Sequence, residues 1–207
     1  MRFAYPVMLD VTERPVVIIG GGAVAVRKAA GLLECGARHV RVVAPSVQAD
    51  MPPAVERVEA TYEPNHLDGA TLVFAATDSP AVNEQIVRDA RARGTLVCRA
   101  DDADAGDFIT PARFQEGEVV VSVTAGSPAL AVEIRNAIAR QIDRGHLMMA
   151  HAMQTLRPRI QAAGLTAARR TTILRELAGV EAIDVVRQGG EATLMEWVRQ
   201  RYPELKL

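Results

Sequence analysis

A glycine-rich turn that follows a buried strand is the feature that most constrains the fold of this chain. Four β-branched residues, Val16 to Ile19, run directly into the glycines Gly20 to Gly22, and a helical segment follows from Ala23 to Leu33. This order predicts a buried parallel strand, a tight turn and a helix N-terminus. Because a helix N-terminus exposes unpaired N–H groups and carries partial positive charge, the turn favours binding of a pyrophosphate.

The spacing within the turn matches the dinucleotide-binding pattern G-x-G-x-x-G/A at Gly20, Gly22 and Ala25. The alternative is that the glycines only allow close packing of strand and helix. An acidic residue usually holds the adenosine ribose about 20 residues past the glycines, but the second predicted strand ends in Pro45 and Ser46. We therefore expect backbone groups or Ser46 to hold the ribose, and no acidic side chain here distinguishes NAD from NADP.

Strands and helices alternate through the first half of the chain. The predicted strands cover residues 16–19, 40–44, 55–62, 71–76 and 95–98, and the predicted helices cover residues 23–33 and 82–93. This alternation predicts a parallel sheet with right-handed crossovers, in which ligands bind beyond the carboxyl ends of the strands. The residues expected to bind the cofactor there are Gly20, Gly22, Ala23, Val24, Pro45, Ser46, Thr77 and Asp78.

The pattern changes beyond residue 112. A predicted strand over residues 118–124 leads to Ser127 and Pro128, a helix cap and first-turn proline, and the following helix has one apolar face. This strand and helix suit a dimer-forming region, although core packing within one chain is the competing explanation. Only helices are predicted after residue 145. The predicted architecture is α/β, with a Rossmann-like parallel sheet (1–112), a strand–helix dimerisation region (113–146) and a small all-α C-terminal domain (147–207).

Composition excludes several classes of protein. The formal net charge of −1 argues against a nucleic-acid binder, although residues 148–207 hold 9 Lys and Arg against 6 Asp and Glu. These basic residues either solvate the helices of the tail or face an anionic substrate, and the sequence leaves both explanations open. The chain has neither a long apolar run nor a signal-peptide pattern, so we expect a cytoplasmic protein without a membrane segment. Cys35 and Cys98 provide no disulfide framework and are expected to be packing residues.

An acidic stretch follows the last strand of the predicted sheet and contains Asp101, Asp102, Asp104 and Asp107. A solvated turn with Asx caps would explain Asp104 and Asp107. Asp101 differs because it directly follows the strand, and we expect its neighbouring carboxylates to raise its pKa, as suits a proton acceptor near neutral pH. A metal site is the rival interpretation, but the histidines lie far apart in the sequence and form no ligand pair, so we predict no metal ligand.

Four motifs occur together in this chain. They are Val-Ile-Ile-Gly-Gly-Gly-Ala-Val-Ala-Val-Arg-Lys (17–28), Ala-Ala-Thr-Asp-Ser-Pro-Ala-Val-Asn (75–83), Asp-Asp-Ala-Asp-Ala-Gly-Asp-Phe-Ile-Thr-Pro-Ala (101–112) and Ser-Val-Thr-Ala-Gly-Ser-Pro-Ala-Leu-Ala (122–131). In this order they resemble the precorrin-2 dehydrogenase family, which includes the N-terminal portion of siroheme synthase. The resemblance covers residues 1 to about 142, and the tail is similar in kind and length only. Because no methyltransferase domain follows, the chain resembles the stand-alone form.

The resemblance implies a homodimer that oxidises the tetrapyrrole precorrin-2 to sirohydrochlorin with NAD in siroheme biosynthesis, and some family members also insert ferrous iron. It implies that Asp101 is catalytic, because the family's aspartate directly follows a strand. In this chain Cys98, Arg99 and Ala100 replace the family's Asn-Val-Val, and we expect Arg99 to strengthen carboxylate binding or to pair with an aspartate. The residues expected to contact the substrate are Arg99, Asp102, Thr124 and Ser127.

Two alternative functions come from different classes. One is a chelatase alone, with a vestigial nucleotide site. The other is a non-catalytic dinucleotide-sensing regulator that resembles the nucleotide-binding domains of potassium channels. The acidic stretch and the Ser-Pro helix start argue against the regulator, and a nucleotide titration would separate the chelatase from the dehydrogenase.

Overall fold

The computed structural model describes residues 5–206, which form two compact units divided between Thr110 and Pro111. The first unit contains a five-stranded parallel sheet with the strand order β3-β2-β1-β4-β5. Its strands are β1 (Val16–Ile19), β2 (Val40–Ala44), β3 (Glu56–Glu59), β4 (Leu72–Ala75) and β5 (Leu96–Arg99). Its helices are α1 (Ala23–Glu34) and α2 (Pro80–Ala92). This order confirms the predicted Rossmann-like parallel α/β fold.

The central strands β1 and β4 are buried along their whole length, as expected for a sheet that is covered on both faces. Ile18 belongs to the apolar layer that contains Ala25 of α1, whereas Ile19 belongs to the opposite layer with Ile86 of α2. The strands β1 and β4 pair in the register Ile19↔Ala75. Their carboxyl ends therefore lie side by side, which brings the glycine turn next to the turn after β4.

The second unit begins with an antiparallel hairpin and continues with helices. The hairpin consists of β6 (Ala112–Glu116) and β7 (Val119–Val123), and α3 (Pro128–Ala139) packs against both strands. The later helices are α4 (Arg144–Ala162), α5 (Ala167–Leu177) and α6 (Val180–Arg201), followed by a short 3₁₀ helix (Pro203–Leu205). Their shared core includes fully buried Leu156, Ile173, Val186, Leu194 and Tyr202. The division of this unit into a dimerisation region and a separate helical domain stays a prediction.

Several local details differ from the sequence-based expectation. Strand β6 was not predicted, because its residues Ala-Arg-Phe-Gln-Glu show little apolar alternation. Pro158 lies inside α4 instead of ending a helix, and the fully buried Leu156 and Ile160 on either side hold the helix in place. The break expected near Gly190 appears as a kink within α6, where Gly190 has φ 76° and ψ −173°.

Candidate functional site

The glycine turn packs so closely against neighbouring backbone that two of its positions exclude a side chain. Gly20 has φ +128°, and a Cβ there would lie 2.2 Å from the carbonyl oxygen of Ala76. A Cβ on Gly21 would lie 2.0 Å from the carbonyl oxygen of Ser46. Gly20 thus allows the close approach of β1 to the end of β4, and Gly21 fixes the loop after β2. The sequence pattern pointed to Gly20 but not to Gly21.

Gly22 differs from both of its neighbours. A Cβ added to it would meet nothing within 4 Å, and it is the N-cap residue of α1. No side chain caps this helix end, so its first N–H groups lack a side-chain acceptor. An open surface in front of uncapped helix amides is what a pyrophosphate requires. The residues present therefore fit a dinucleotide, with the amides of Ala23 and Val24 next to the predicted phosphate position.

The turn after β4 is held by one buried side chain, Asn83, in the first half of α2. Asn83 is 1% exposed. Its Oδ1 accepts hydrogen bonds from the N–H of Thr77 at 3.1 Å and from the hydroxyl of Thr77 at 2.7 Å, and its Nδ2 donates to the carbonyl of Thr77 at 3.1 Å. Ser79 caps α2 by accepting from the N–H of Val82 at 3.4 Å. The predicted cofactor residue Thr77 is therefore fixed, whereas Asp78 is exposed.

The same asparagine contacts the predicted catalytic carboxylate. Asn83 Nδ2 donates to Asp101 Oδ1 at 2.9 Å. Arg99 binds the carboxylate in bidentate fashion, from Nε to Oδ1 at 3.1 Å and from Nη2 to Oδ2 at 3.1 Å. Of the two roles expected for Arg99, pairing with an aspartate is the one found. The sequence analysis did not select Asn83, although Asn83 is the last residue of the second motif. The only indication in the sequence was that a polar residue stands at a position facing the core.

The expectation that neighbouring carboxylates raise the pKa of Asp101 is wrong. The hydrogen bonds from Arg99 lower the pKa of Asp101, and the bond from Asn83 acts in the same direction against the opposing effect of burial. A carboxylate that accepts charge-assisted hydrogen bonds is stabilised in its ionised form. Asp101 is therefore an anion at neutral pH, with about a third of its side chain, 35%, exposed to solvent.

The other acidic residues of this stretch have structural roles. Asp107 pairs with Arg91, with 2.8 Å between Oδ1 and Nη2, and its Oδ2 accepts from the N–H of Val97 at 3.1 Å. It thereby covers the outer edge of β5. Asp102 accepts from the N–H of Asp104 at 3.0 Å in an Asx turn. A substrate contact by Asp102 stays a prediction.

Two further ionisable residues of the first unit, Lys28 on α1 and Cys98 on β5, have shifted pKa values. The Nζ of Lys28 lies 5.6 Å from the centroid of the Phe74 ring and donates to the hydroxyl of Thr110. Burial lowers the pKa of Lys28 and raises the pKa of the Cys98 thiol. Cys98 is buried as expected, but Cys35 is exposed at the end of α1, so the expectation of packing is wrong there.

The two predicted substrate residues of the second unit lie in the loop between β7 and α3. Ser127 caps α3 by accepting from the N–H of Leu130 at 3.2 Å, as its position before Pro128 indicated. Thr124 is exposed in the same loop. Their contact with a substrate stays a prediction.

Much of the positive charge in the last sixty residues is neutralised locally. Arg169 binds Glu204 at 2.6 Å, and Arg187 binds Asp143 at 2.8 Å. Ion pairs also join Arg201 to acidic side chains of the same unit. This region therefore offers an anionic ligand fewer cations than its composition indicates.

Within residues 5–206, no group of three or more His, Cys, Asp or Glu side chains is arranged to hold a metal ion. No helix in the same range has both the length and the apolar character needed to cross a membrane.

Comparison with known proteins identifies the family. Residues 7–112, just over half of the chain, match a protein family described as "Putative NAD(P)-binding". The chain belongs to this NAD(P)-binding family. The match covers the sheet and the acidic stretch, so it contains the glycine turn, Thr77, Asn83 and Asp101.

The chain is also similar in sequence to siroheme synthases. The chain is 33% identical to the siroheme synthase of Chromobacterium violaceum over 95% of its own length and 43% of that protein's length. It is 36% identical to that of Methylococcus capsulatus over 89% of its own length and 40% of the relative's. The chain thus spans less than half the length of these relatives. They confirm the resemblance predicted from the four motifs.

A solved structure with the same fold is described as SirC, precorrin-2 dehydrogenase. It aligns with a TM-score of 0.75 over 95% of this chain and 98% of that chain, at 23% sequence identity. The similarity extends through both compact units, so the hairpin and the helices after Pro111 belong to the shared fold as well as the parallel sheet.

Proposed function

We propose that this protein catalyses the NAD-dependent oxidation of precorrin-2 to sirohydrochlorin. In this reaction the substrate loses a hydride and a proton, so the site needs a hydride acceptor and a proton acceptor. The observation that carries the proposal is the carboxylate of Asp101, which accepts a hydrogen bond from the asparagine that also fixes the turn after β4. The siroheme synthase relatives of the chain support the identity of the substrate.

The nucleotide would lie across the carboxyl ends of the parallel strands. When bound, NAD⁺ supplies the hydride acceptor. The amides of Ala23 and Val24, beside the open face of Gly22, would bind its pyrophosphate. The remaining cofactor contacts proposed are Pro45 and Ser46 for the adenosine ribose, and Thr77 and Asp78 for the nicotinamide half.

Asp101 would act on the macrocycle in two ways. Its negative charge stabilises the positive charge that develops as the hydride leaves, because a fixed anion near developing charge lowers the barrier. It then accepts the proton that the oxidised macrocycle releases. A macrocycle that has lost a hydride is cationic and acidic, so a carboxylate with a low pKa is a sufficient base.

Replacement of Asp101 by Asn or Ala tests this role. We expect turnover of precorrin-2 to fall about 10²–10⁴-fold, the usual contribution of a positioned acid or base, with NAD affinity unchanged. The assay is anaerobic incubation with precorrin-2 and NAD⁺, followed by NADH absorbance, with NAD affinity from calorimetry. Asp104→Asn in the same acidic stretch is the matched control and should retain wild-type turnover. Near-normal turnover by Asp101→Ala would reject the assignment.

The same reaction mixture distinguishes the alternative functions. Ferrous ion added after oxidation is complete tests for insertion of iron into sirohydrochlorin, with the metal as a substrate. Iron insertion by a protein that neither binds NAD nor forms NADH would identify a chelatase alone. Binding of NAD without any turnover of precorrin-2 would identify a regulator.

We also propose that the protein forms a homodimer through α3. Helix α3 packs one side on the hairpin and leaves large apolar side chains exposed, including Leu130 (51%), Ile134 (38%) and Ile138 (41%). These residues belong to the apolar face noted in the sequence, and the hairpin does not bury them. A second copy of the same face would bury them in a two-fold interface.

Introducing charge into this face tests the dimer. We expect the double variant Leu130→Glu, Ile138→Glu to elute as a monomer in size-exclusion chromatography with light scattering, because burial of two carboxylates opposes association. Val180→Glu is the matched control, since Val180 is 75% exposed at the start of α6. A wild-type protein that is monomeric at micromolar concentration would contradict the proposal.

A further inference from the structure

We infer that Asn83 and Arg99 are positioning residues that hold Asp101 in one orientation and connect it to the nucleotide-binding turn at Thr77. The inference rests on the proposed function. It adds Asn83, which the motif analysis did not select, and it gives the pairing of Arg99 with Asp101 a positioning role. It also predicts that nucleotide binding and the ionisation of Asp101 are coupled.

The hydrogen-bonding capacity of Asn83 is completely used by two partners. An asparagine amide has two donor hydrogens and an acceptor oxygen with two lone pairs. In this protein Oδ1 accepts twice from Thr77, and Nδ2 donates once to the carbonyl of Thr77 and once to Asp101. Since the side chain is 1% exposed, water cannot replace a lost partner. Movement of Thr77 is therefore transmitted to Asp101.

Arg99 holds the carboxylate from the other side. Its two bonds to Asp101 define a plane for the carboxylate, and Arg99 is itself held by a weaker contact from Nη2 to the carbonyl of Pro80 at 3.4 Å. The Arg99 side chain is only 12% exposed. Bidentate geometry combined with burial orients a carboxylate more strictly than a point charge could.

Polar and charged groups on β5, on α2 and in the acidic stretch act on this pair. Arg99 on β5 and Asn83 on α2 bind Asp101 directly. The hydrogen bonds to Asp101 raise the pKa of Arg99, and Asp102 in the acidic stretch and Glu84 on α2 add to this effect from a distance. Within the described residues, Arg99 is the only cation that pairs with Asp101. The pH dependence of Asp101 should therefore respond mainly to Arg99.

Direct titration of Asp101 tests the inference without any substrate. The pKa of its carboxyl group would be measured from the ¹³C chemical shift of the carboxyl carbon as a function of pH. The signal would be assigned by its loss in Asp101→Asn. We expect Arg99→Leu to move the titration to higher pH and Arg99→Lys to restore it in part, because lysine keeps the charge but not the bidentate geometry. Arg38→Leu, which removes the exposed partner of Glu13, is the matched control and should leave the titration unchanged.

Asn83→Asp tests the connection to Thr77. This isosteric change places a carboxylate against both Asp101 and the carbonyl of Thr77, so we expect the pKa of Asp101 to rise. We also expect NAD affinity to fall about tenfold, the factor for one lost buried hydrogen bond. Arg99→Leu should raise the pKa of Asp101 and leave NAD affinity unchanged. Thermal melting verifies folding, and if Asn83→Asp is unfolded, Asn83→Ser replaces it with the same expected loss of NAD affinity.

The outcomes separate this inference from the proposed function. If Arg99→Leu leaves the Asp101 titration at its wild-type position, or if folded Asn83 variants bind NAD as wild type does, the positioning role is refuted. If the titrations shift as expected but wild-type protein does not oxidise precorrin-2, the network stands and the proposed substrate is wrong. If both hold, the acid limb of turnover should also move to higher pH in Arg99→Leu.

Discussion

The three glycines of the turn should respond differently to the same substitution. In Gly20→Ala, the new Cβ would lie 2.2 Å from the carbonyl oxygen of Ala76, at a residue with φ +128°. Overpacking of this kind costs about 1–3 kcal/mol, and a non-glycine residue in this backbone region costs about 1–3 kcal/mol more. The total of about 2–6 kcal/mol is a large part of the stability of a typical domain.

Gly22→Ala should instead affect ligand binding. Its Cβ meets no protein atom within 4 Å, and its φ of −86° and ψ of −175° suit any residue. We expect a loss of about 1 kcal/mol or less in stability, from the poorer N-cap. The methyl group would keep the pyrophosphate away from the helix amides, and the lost charge-assisted hydrogen bonds weaken NAD binding about 10–100-fold.

Thermal unfolding and calorimetry measure the two effects separately. Unfolding should be followed by far-UV circular dichroism, because the single tryptophan, Trp197, lies in the second unit. We expect Gly20→Ala to lower Tm by at least about 5 °C, and Gly22→Ala to lower Tm less than Gly20→Ala does but to lose affinity for NAD. The reasoning is refuted if Gly20→Ala is as stable as wild type, or if Gly22→Ala binds NAD normally.

Three further predictions concern stability and cofactor choice. Burial and the hydrogen bond to Glu176 raise the pKa of Tyr202 to about 12. The stabilising contribution of Tyr202 should therefore be complete below pH 10.0 and lost as the pH rises through 12. Urea unfolding followed by tryptophan fluorescence should show this decline in wild type but not in Tyr202→Phe. Asp107→Ala should lower the free energy of unfolding by about 1–3 kcal/mol, because the N–H of Val97 loses its acceptor. Asp107→Asn should recover part of this free energy, and chemical denaturation measures both variants. Residues 45–50 contain no Lys or Arg to bind a 2′-phosphate, so calorimetry should show NAD binding about tenfold or more tighter than NADP; preference for NADP would contradict this.

Much of the first unit followed from local patterns. The apolar strand Val16 to Ile19, the glycine turn and the Ser79-Pro80 helix start each specify a backbone state within a few residues, and the parallel sheet assembled as those patterns predicted. Strand β6 lacked such a pattern. Pro158 misled the prediction of α4, because the buried residues around it outweigh its local effect.

The chemistry of the candidate site depended on contacts between residues that are distant in the chain. The sequence by itself determined that a carboxylate, Asp101, follows the last strand of a dinucleotide-binding sheet. Only the tertiary structure decided that Arg99 and Asn83 bind it and so lower its pKa, opposite to the effect expected from its acidic neighbours. A pKa depends on which groups surround a carboxylate in space, and the fold brings Asn83 to Asp101 across 18 residues of chain.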